Sequence, residues 1–161
     1  MKNNFPHVFS PLSLRGVTLK NRVAMMPMGS DFAGPGGELT DEHIRYYELR
    51  ARGGTGLIIV ENVCVKYPEG SNGTTQLRLD KDCYIPRLFT MTEACHRHGA
   101  CMGVQLNHAG ASAMSSRTGM QPVSSSFQAG RRDSPPLKQG RTGKHCQGLR
   151  RCRKTGGQCR L

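Results

Sequence analysis

Three short apolar runs lie in the first two-thirds of the chain, and each is followed by polar residues. They cover residues 23–28, 56–65 and 102–106, and glycine or other turn residues bound them. Continuous apolar runs of this length are typical of parallel strands that are covered on both faces. We therefore predict three parallel strands whose carboxyl ends deliver polar groups to one edge of a sheet, where α/β folds bind their ligands.

The segment between the first two runs has the apolar spacing of a helix. Thr40 is a good N-cap for it. Ile44, Tyr47 and Ala51 recur at intervals of three and four residues, which predicts one buried helical face. The pair 53–54 is Gly-Gly, which predicts the end of this helix.

A second helical pattern precedes the third run. The helix begins either after Asp80, acting as an N-cap, or at about Pro86, because proline is tolerated in a first helical turn. Gly99 fits the position just beyond its end. The predicted buried face consists of Ile85, Leu88, Phe89, Thr92 and Cys95.

The resulting order is β-α-β-α-β, and its parallel crossovers should be right-handed. Residues 5–22 alternate short apolar runs with turn residues, so they form either a β-hairpin or a short leader. Residues 66–79 read as a polar loop after the second strand. The pattern as a whole indicates an α/β fold.

The composition changes after residue 126. The chain has a formal net charge of +12, and residues 127–161 carry +9 of it with a single acid, Asp133. This segment has no Val, Ile or Met and no apolar periodicity. It can bury too little apolar surface to offset backbone ordering, which costs about 1–2 kcal/mol per residue, so we predict that it is disordered. The expected division is a folded part, 1–126, and a basic tail, 127–161.

Composition also argues against several classes of protein. No stretch has the length and apolarity of a membrane span, and the first residues lack the apolar core of a secretory signal. Seven cysteines without a C-x-x-C pair indicate reduced thiols in the cytoplasm. The cluster 95–98, Cys-His-Arg-His, lacks the paired spacing of a zinc site, so we expect no metal. The glycine-rich stretch 33–37 has no GK[ST] after it and is no phosphate loop.

Four motifs occur in an order and spacing that resemble one known family. They are NRVAMMPMGS (21–30), GGTGLIIVENV (53–63), VQLNHAG (104–110) and QPVSSS (121–126). Together they resemble the start of the old yellow enzyme family, the NADH:flavin oxidoreductases that include 2,4-dienoyl-CoA reductase-like members. The resemblance implies an eight-stranded (β/α) TIM barrel that binds FMN at the carboxyl ends of its strands. About three βα units of that barrel would lie in this chain.

The resemblance also implies a set of cofactor-binding residues. Pro27, Met28 and Gly29 match the end of the family's first strand, whose backbone lies against the flavin ring. Asn62 matches a small or polar residue close to the flavin at the end of the second strand. Gln105 matches the glutamine that hydrogen-bonds the flavin pyrimidine edge. An amide suits that edge because it both donates and accepts a hydrogen bond.

An intact relative would take hydride from NAD(P)H onto FMN and pass it to an activated alkene, such as an enone or enoyl thioester. The family's substrate-binding histidine pair, or His/Asn pair, and its proton-donating tyrosine lie after the third strand and have no counterpart in 127–161. We therefore assign no catalytic residue. A barrel takes about 250 residues, so we expect this chain alone to bind FMN weakly or not at all and to lack turnover. Its open sheet edges should cause aggregation unless a second chain completes the barrel.

Two further hypotheses concern the tail. The abrupt change after Ser126, within a family-like segment, suggests a shift of reading frame at that point. The alternative function is a basic-tailed interaction protein that binds nucleic acid non-specifically by neutralising phosphates. Phe127 is the only aromatic residue of the tail that could stack on a base, so specific nucleic-acid binding is not expected.

Overall fold

The computed structural model describes residues 4–113 and the backbone of two short strands beyond them. Those two strands, β6 (Phe127–Ala129) and β7 (Arg132–Ser134), pair antiparallel with each other. They fall within the tail that was predicted to be disordered. The other residues of that tail lie outside the described part of the chain.

A β-hairpin opens the described chain. Strand β1 (Leu12–Leu14) pairs antiparallel with β2 (Val17–Leu19). The two residues between them, Arg15 and Gly16, have φ angles of 40° and 92°. Positive φ at both positions matches the twist of two-residue hairpin turns. Of the two alternatives for residues 5–22, the structure therefore has the hairpin.

A three-stranded parallel sheet forms the centre of the fold, as predicted. Its order is β3 (Ala24–Met25), β4 (Leu57–Cys64) and β5 (Cys101–Asn107). Both neighbouring pairs are parallel. Strand β3 is shorter than the predicted 23–28. It ends at Met25, two residues before Pro27, which has no N–H to donate to a ladder.

The first helix confirms its predicted caps. Helix α1 spans Asp41–Arg52, and the Thr40 hydroxyl accepts a hydrogen bond from the backbone N–H of His43 at 3.3 Å. The helix ends at Gly53, and Gly54 follows with a φ of 105°. Its buried side chains are His43, Tyr47 and Ala51. The predicted face was wrong in one respect, because Ile44 is only partly buried and His43 lies fully in the interior.

The second helix begins near the later of the two predicted positions. Helix α2 spans Ile85–His96 and follows a 3-10 turn, Asp82–Tyr84, so Asp80 is not its cap. The predicted buried face was wrong at Phe89, which is 50% exposed. The helix instead buries Met91, a residue that the predicted face did not include.

One core lies between the sheet and the two helices. Its largest fully buried apolar side chains come from both layers and from the loop after β4: Tyr47, Ile58, Leu77, Met91, Val60 and Val63. The loop 66–79 is therefore less solvent-facing than its polar composition suggested. Its Leu77 carbonyl accepts from the Cys64 N–H at 2.8 Å, and the Leu79 N–H donates to the Cys64 carbonyl at 2.9 Å. The loop thus lies alongside the end of β4.

Candidate functional site at the carboxyl edge of the sheet

The carboxyl ends of the three strands bring the predicted site residues to one edge. Asn62 of β4 and Gln105 of β5 are register partners across the ladder. A Cβ atom placed on Gly29, just beyond β3, would lie 3.8 Å from Asn62 Oδ1. Pro27 and Met28 belong to the same segment after β3. Residues from three separated motifs therefore meet at one place in the fold.

The side chains at this edge are accessible. Met28 is 61% exposed, Gln105 is exposed and Asn62 is half-buried. Within residues 4–113, no hydrogen bond engages the Gln105 side-chain amide. An amide in this state offers one donor and one acceptor to a planar ligand edge.

Strand β4 carries an irregularity directly beside Asn62. Val60 pairs with Val104 and Asn62 pairs with Gln105, so Glu61 has no partner in the ladder. One extra residue in a strand is a β-bulge, and it reverses which side chains face the core. Before the bulge Ile58 and Val60 are buried, whereas after it Glu61 and Val63 are buried. The bulge therefore turns Glu61 toward the helices and Asn62 toward the opposite face.

Glu61 is held by a buried polar network that the sequence analysis did not find. Its Oε1 lies 3.0 Å from His43 Nε2, and the two side chains are 3% and 0% exposed. Its Oε2 accepts the backbone N–H of Ser30 at 2.6 Å. The Ser30 hydroxyl is 2.9 Å from the same His43 nitrogen. The Glu61 N–H, left without a ladder partner by the bulge, donates to the Tyr47 hydroxyl at 3.1 Å.

Aromatic rings enclose this network. Phe32 meets the His43 ring edge-on at a centroid distance of 5.7 Å, and Tyr47 stacks parallel to His43 at 6.3 Å. Burial raises the pKa of Tyr47 well above its ordinary value, with the Glu61 N–H acting in the opposite direction. The Tyr47 hydroxyl therefore stays protonated near neutral pH.

The loop after β4 supports Asn62 from the other side. The Asn62 amide nitrogen donates to Asn72 Oδ1 at 3.2 Å, and Gln76 Nε2 donates to the Asn62 carbonyl at 3.2 Å. The same loop contacts the segment after β3, because the Thr75 hydroxyl donates to Asp31 Oδ1 at 2.9 Å. Asn62 is thus fixed in position while one face of it remains accessible.

Two of the four thiols in the described part of the chain, Cys64 and Cys95, are buried. Burial raises the pKa of Cys64 and of Cys95 to about 11, so both are protonated at neutral pH. Cys64, Cys83, Cys95 and Cys101 are all free. Among the residues that the structure describes, no group of three or more His, Cys, Asp or Glu side chains could hold a metal ion. None of the helices in the described part has the length and apolarity to cross a bilayer.

A signal for the buried network was present in the sequence. Glu61 is the only charged residue within the second apolar run, and an acid there is costly to bury unless it is paired. His43 lies three residues after the N-cap, on the same side as Tyr47. The pattern could have flagged Glu61 as unusual, but its partner depends on the packing of α1 against β4.

Comparisons with known proteins agree with this geometry. Residues 7–146 match the model of the NADH:flavin oxidoreductase / NADH oxidase family. The chain is 44% identical over 124 residues to an NADH oxidase of Thermoanaerobacter brockii, covering 76% of this chain and 19% of that protein. It is 41% identical over 108 residues to an NADPH dehydrogenase of Listeria welshimeri, covering 66% of this chain and 32% of that protein.

Solved structures show the same fold. An old yellow enzyme homologue of Zymomonas mobilis superposes with a TM-score of 0.85 at 21% identity, over 97% of this chain and 46% of that one. A 2-naphthoyl-CoA reductase superposes with a TM-score of 0.89 at 16% identity, over 98% of this chain and 26% of that one. The three-stranded sheet and its helices are therefore part of a (β/α)8 barrel. The chain spans about a fifth to a third of the length of the two curated relatives above.

Proposed function

The chain belongs to the NADH:flavin oxidoreductase / NADH oxidase family, and on that premise we propose that residues 1–126 form the N-terminal part of an FMN-binding barrel. The observation that supports the proposal most directly is the meeting of Gly29, Asn62 and Gln105 at one edge of the sheet. Ligands of such barrels bind at the carboxyl ends of the strands. These residues come from three separate motifs, so their convergence is a property of the fold.

The residues at this edge fit a flavin. Gly29 has no side chain, so the backbone of the segment 27–29 can approach a flat ring closely. The Gln105 amide can pair with adjacent carbonyl and N–H groups on the pyrimidine edge. Asn62, held by Asn72, lies between them. FMN bound here would supply two-electron chemistry between NAD(P)H and a small-molecule acceptor, for which we propose an activated alkene.

The part played by this chain's own residues is binding and orientation. Gln105 would fix the rotation of the ring within the plane, and segment 27–29 would limit how far the ring enters the barrel. No residue of this chain is assigned to proton transfer. We expect at most weak FMN binding and no turnover by this chain alone, with its sheet edges either aggregating or pairing with a second chain that carries further strands.

A cytoplasmic location is part of the same proposal. The four described cysteines are unpaired, which is the usual state of thiols in a reducing compartment. The second candidate function, non-specific binding of nucleic acid by the basic tail, has no particular observation in its favour within the described part of the chain. The relatives named above are oxidoreductases by name.

A hybrid protein tests the cofactor assignment. Residues 7–126 of this chain would replace the matching segment of the Thermoanaerobacter brockii NADH oxidase, which is 44% identical over the compared 124 residues. We expect the hybrid to bind FMN. Substituting Gln105→Leu should raise the Kd for FMN by roughly tenfold, because about one to two hydrogen bonds are lost.

The matched control is Thr90→Leu, which also replaces an exposed polar residue by leucine but lies on helix α2 and not on a strand of the sheet. It should leave the Kd for FMN unchanged. A folded hybrid that binds no FMN would refute the proposed function. Equal changes in the Kd for FMN in the two variants would show that Gln105 is not part of the site.

A further inference from the structure

The carboxylate of Glu61 joins two segments that both reach the candidate site. Through Oε2 it holds the backbone N–H of Ser30 at 2.6 Å, directly after Gly29. Glu61 is also the extra residue of the β-bulge, and the bulge determines the direction of the Asn62 side chain. A single buried side chain therefore connects the end of β3 to the end of β4.

His43 completes this connection from helix α1. Its Nε2 contacts both Glu61 Oε1, at 3.0 Å, and the Ser30 hydroxyl, at 2.9 Å. A protonated His43 Nε2 can donate to Glu61 Oε1, and Oε2 accepts from the Ser30 N–H. The opposite ring nitrogen lies 3.4 Å from the hydroxyl of the helix cap, Thr40. Every oxygen of the buried carboxylate thus has a donor, which is the condition for burying an acid.

We propose that Ser30, His43 and Glu61 form a positioning triad that sets where Gly29 and Asn62 stand at the flavin-facing edge. The inference rests on the proposed function. It assigns no contact with the cofactor to the triad. The buried Glu61 side chain fixes the position of the bulge, which directs Asn62 away from the helices. Its bond to the Ser30 N–H fixes the distance between β4 and the segment after β3. Bulges beside functional sites commonly redirect a side chain in this way.

The position of the bulge in β4 determines which of Glu61 and Asn62 faces the helices. Without the extra residue, alternation along β4 would continue to bury the even-numbered positions, as at Ile58 and Val60. Asn62 would then face the helices and Glu61 would face the candidate site. The burial of Glu61 and the direction of Asn62 away from the helices are therefore two consequences of one backbone feature.

The test uses the 161-residue chain labelled with nitrogen-15, at a dilution at which light scattering shows a monomer, with its amide signals followed by NMR. In Glu61→Gln the side chain keeps its shape but presents an NH₂ group toward one of two donors, Ser30 N–H or His43 Nε2–H. A hydrogen bond to a charged acceptor is lost, so amide hydrogen exchange at Ser30 should accelerate by roughly tenfold. The signals of the Gly29 N–H and the Asn62 side-chain amide should move.

A matched control distinguishes a change in the positions of Gly29 and Asn62 from a general loss of stability. Glu93→Gln makes the same chemical change on an exposed position of α2, and it should leave the Ser30, Gly29 and Asn62 signals where they are. The signals of Ser13 and Thr18, in the β1–β2 hairpin, should not move in either variant. Uniform acceleration of exchange throughout the Glu61→Gln chain, with unmoved Gly29 and Asn62 signals, would show a merely structural role and overturn the triad.

A folded Glu61→Gln chain with the wild-type Gly29 and Asn62 signals would also overturn it. If that variant does not fold, Ser30→Ala takes its place. It removes the hydroxyl contacts to His43 Nε2 and to the Phe32 N–H but keeps the Ser30 N–H bond to Glu61, so it should move the same signals by a smaller amount. Unmoved signals in Ser30→Ala would then count against the triad. Failure of the unmodified hybrid to bind FMN would defeat the proposed function alone, since the spectra of the chain itself decide the triad.

Discussion

The substitution Tyr47→Phe isolates one hydrogen bond at the β-bulge. The Tyr47 ring is fully buried, and it packs against His43 in parallel and against Tyr46 edge-on at a centroid distance of 5.1 Å. Phenylalanine keeps both ring contacts and removes only the hydroxyl. The lost atom is the acceptor of the Glu61 N–H, at 3.1 Å. Because the bulge gives that N–H no partner in the ladder, the substitution leaves it unsatisfied in the core.

The size of the effect follows from the cost of an unsatisfied buried donor. Such a group costs about 1–3 kcal/mol, so we expect the free energy of unfolding to fall by about 2 kcal/mol. For a folded unit of this size, 1 kcal/mol corresponds to a Tm shift of roughly 4 °C. The Tm of the variant should therefore be lower by about 8 °C.

Urea unfolding followed by circular dichroism measures this change. The midpoint should decrease while the slope of free energy against urea stays the same. Tyr46→Phe is the control, since Tyr46 is only partly buried and no hydrogen bond to its hydroxyl occurs within residues 4–113. It should change the stability by less than about 0.5 kcal/mol. Equal losses in the two variants, or no loss in Tyr47→Phe, would refute the role given to the Tyr47 hydroxyl.

Three further predictions concern other parts of the chain. Burial raises the pKa of Cys64 to about 11. The folded-state pKa of Cys64 then lies above its unfolded value of about 8.5. The stability that the protonated thiol contributes is therefore complete below about pH 8.5 and is lost as the pH rises toward 11. Urea unfolding at a series of pH values measures this loss. Arg78 forms two bonds to Asp80, at 3.0 and 2.9 Å, and stacks 3.8 Å from the Tyr67 ring centroid, so Arg78→Lys should lower the free energy of unfolding by about 1–2 kcal/mol in urea. Removing residues 127–161 takes away a net +9 and should abolish retention on a nucleic-acid column at low salt.

Each of these predictions has a result that contradicts it. Stability that rises between pH 9 and 11 would reverse the sign assigned to the Cys64 thiol. For Arg78, the comparison is Arg45→Lys on the exposed side of α1, and a loss as large there would mean that the paired bonds contribute nothing. Unchanged nucleic-acid retention after removal of the tail would place the basic surface elsewhere in the chain.

Most of the fold could be predicted from local patterns. The three parallel strands came from apolar runs bounded by turn residues, because strands buried on both faces need uninterrupted apolar side chains. The ends of α1 came from Thr40, whose side-chain oxygen caps the helix, and from the glycine pair 53–54, of which Gly54 has a φ of 105° that its absent Cβ permits. The candidate residues Asn62 and Gln105 were named through family resemblance, and the register of β4 and β5 places them side by side.

The sequence by itself therefore determined the order and kind of the elements and the residues at the strand ends, since these depend on short-range periodicity and capping. Tertiary structure alone decided the bulge at Glu61, the exposure of Phe89 and the pairing of Glu61 with His43 and Ser30. Those features arise where segments distant in sequence share one buried space. A carboxylate in that space must find its donors among whatever side chains and backbone groups packing brings to it, and one-dimensional patterns do not contain that information.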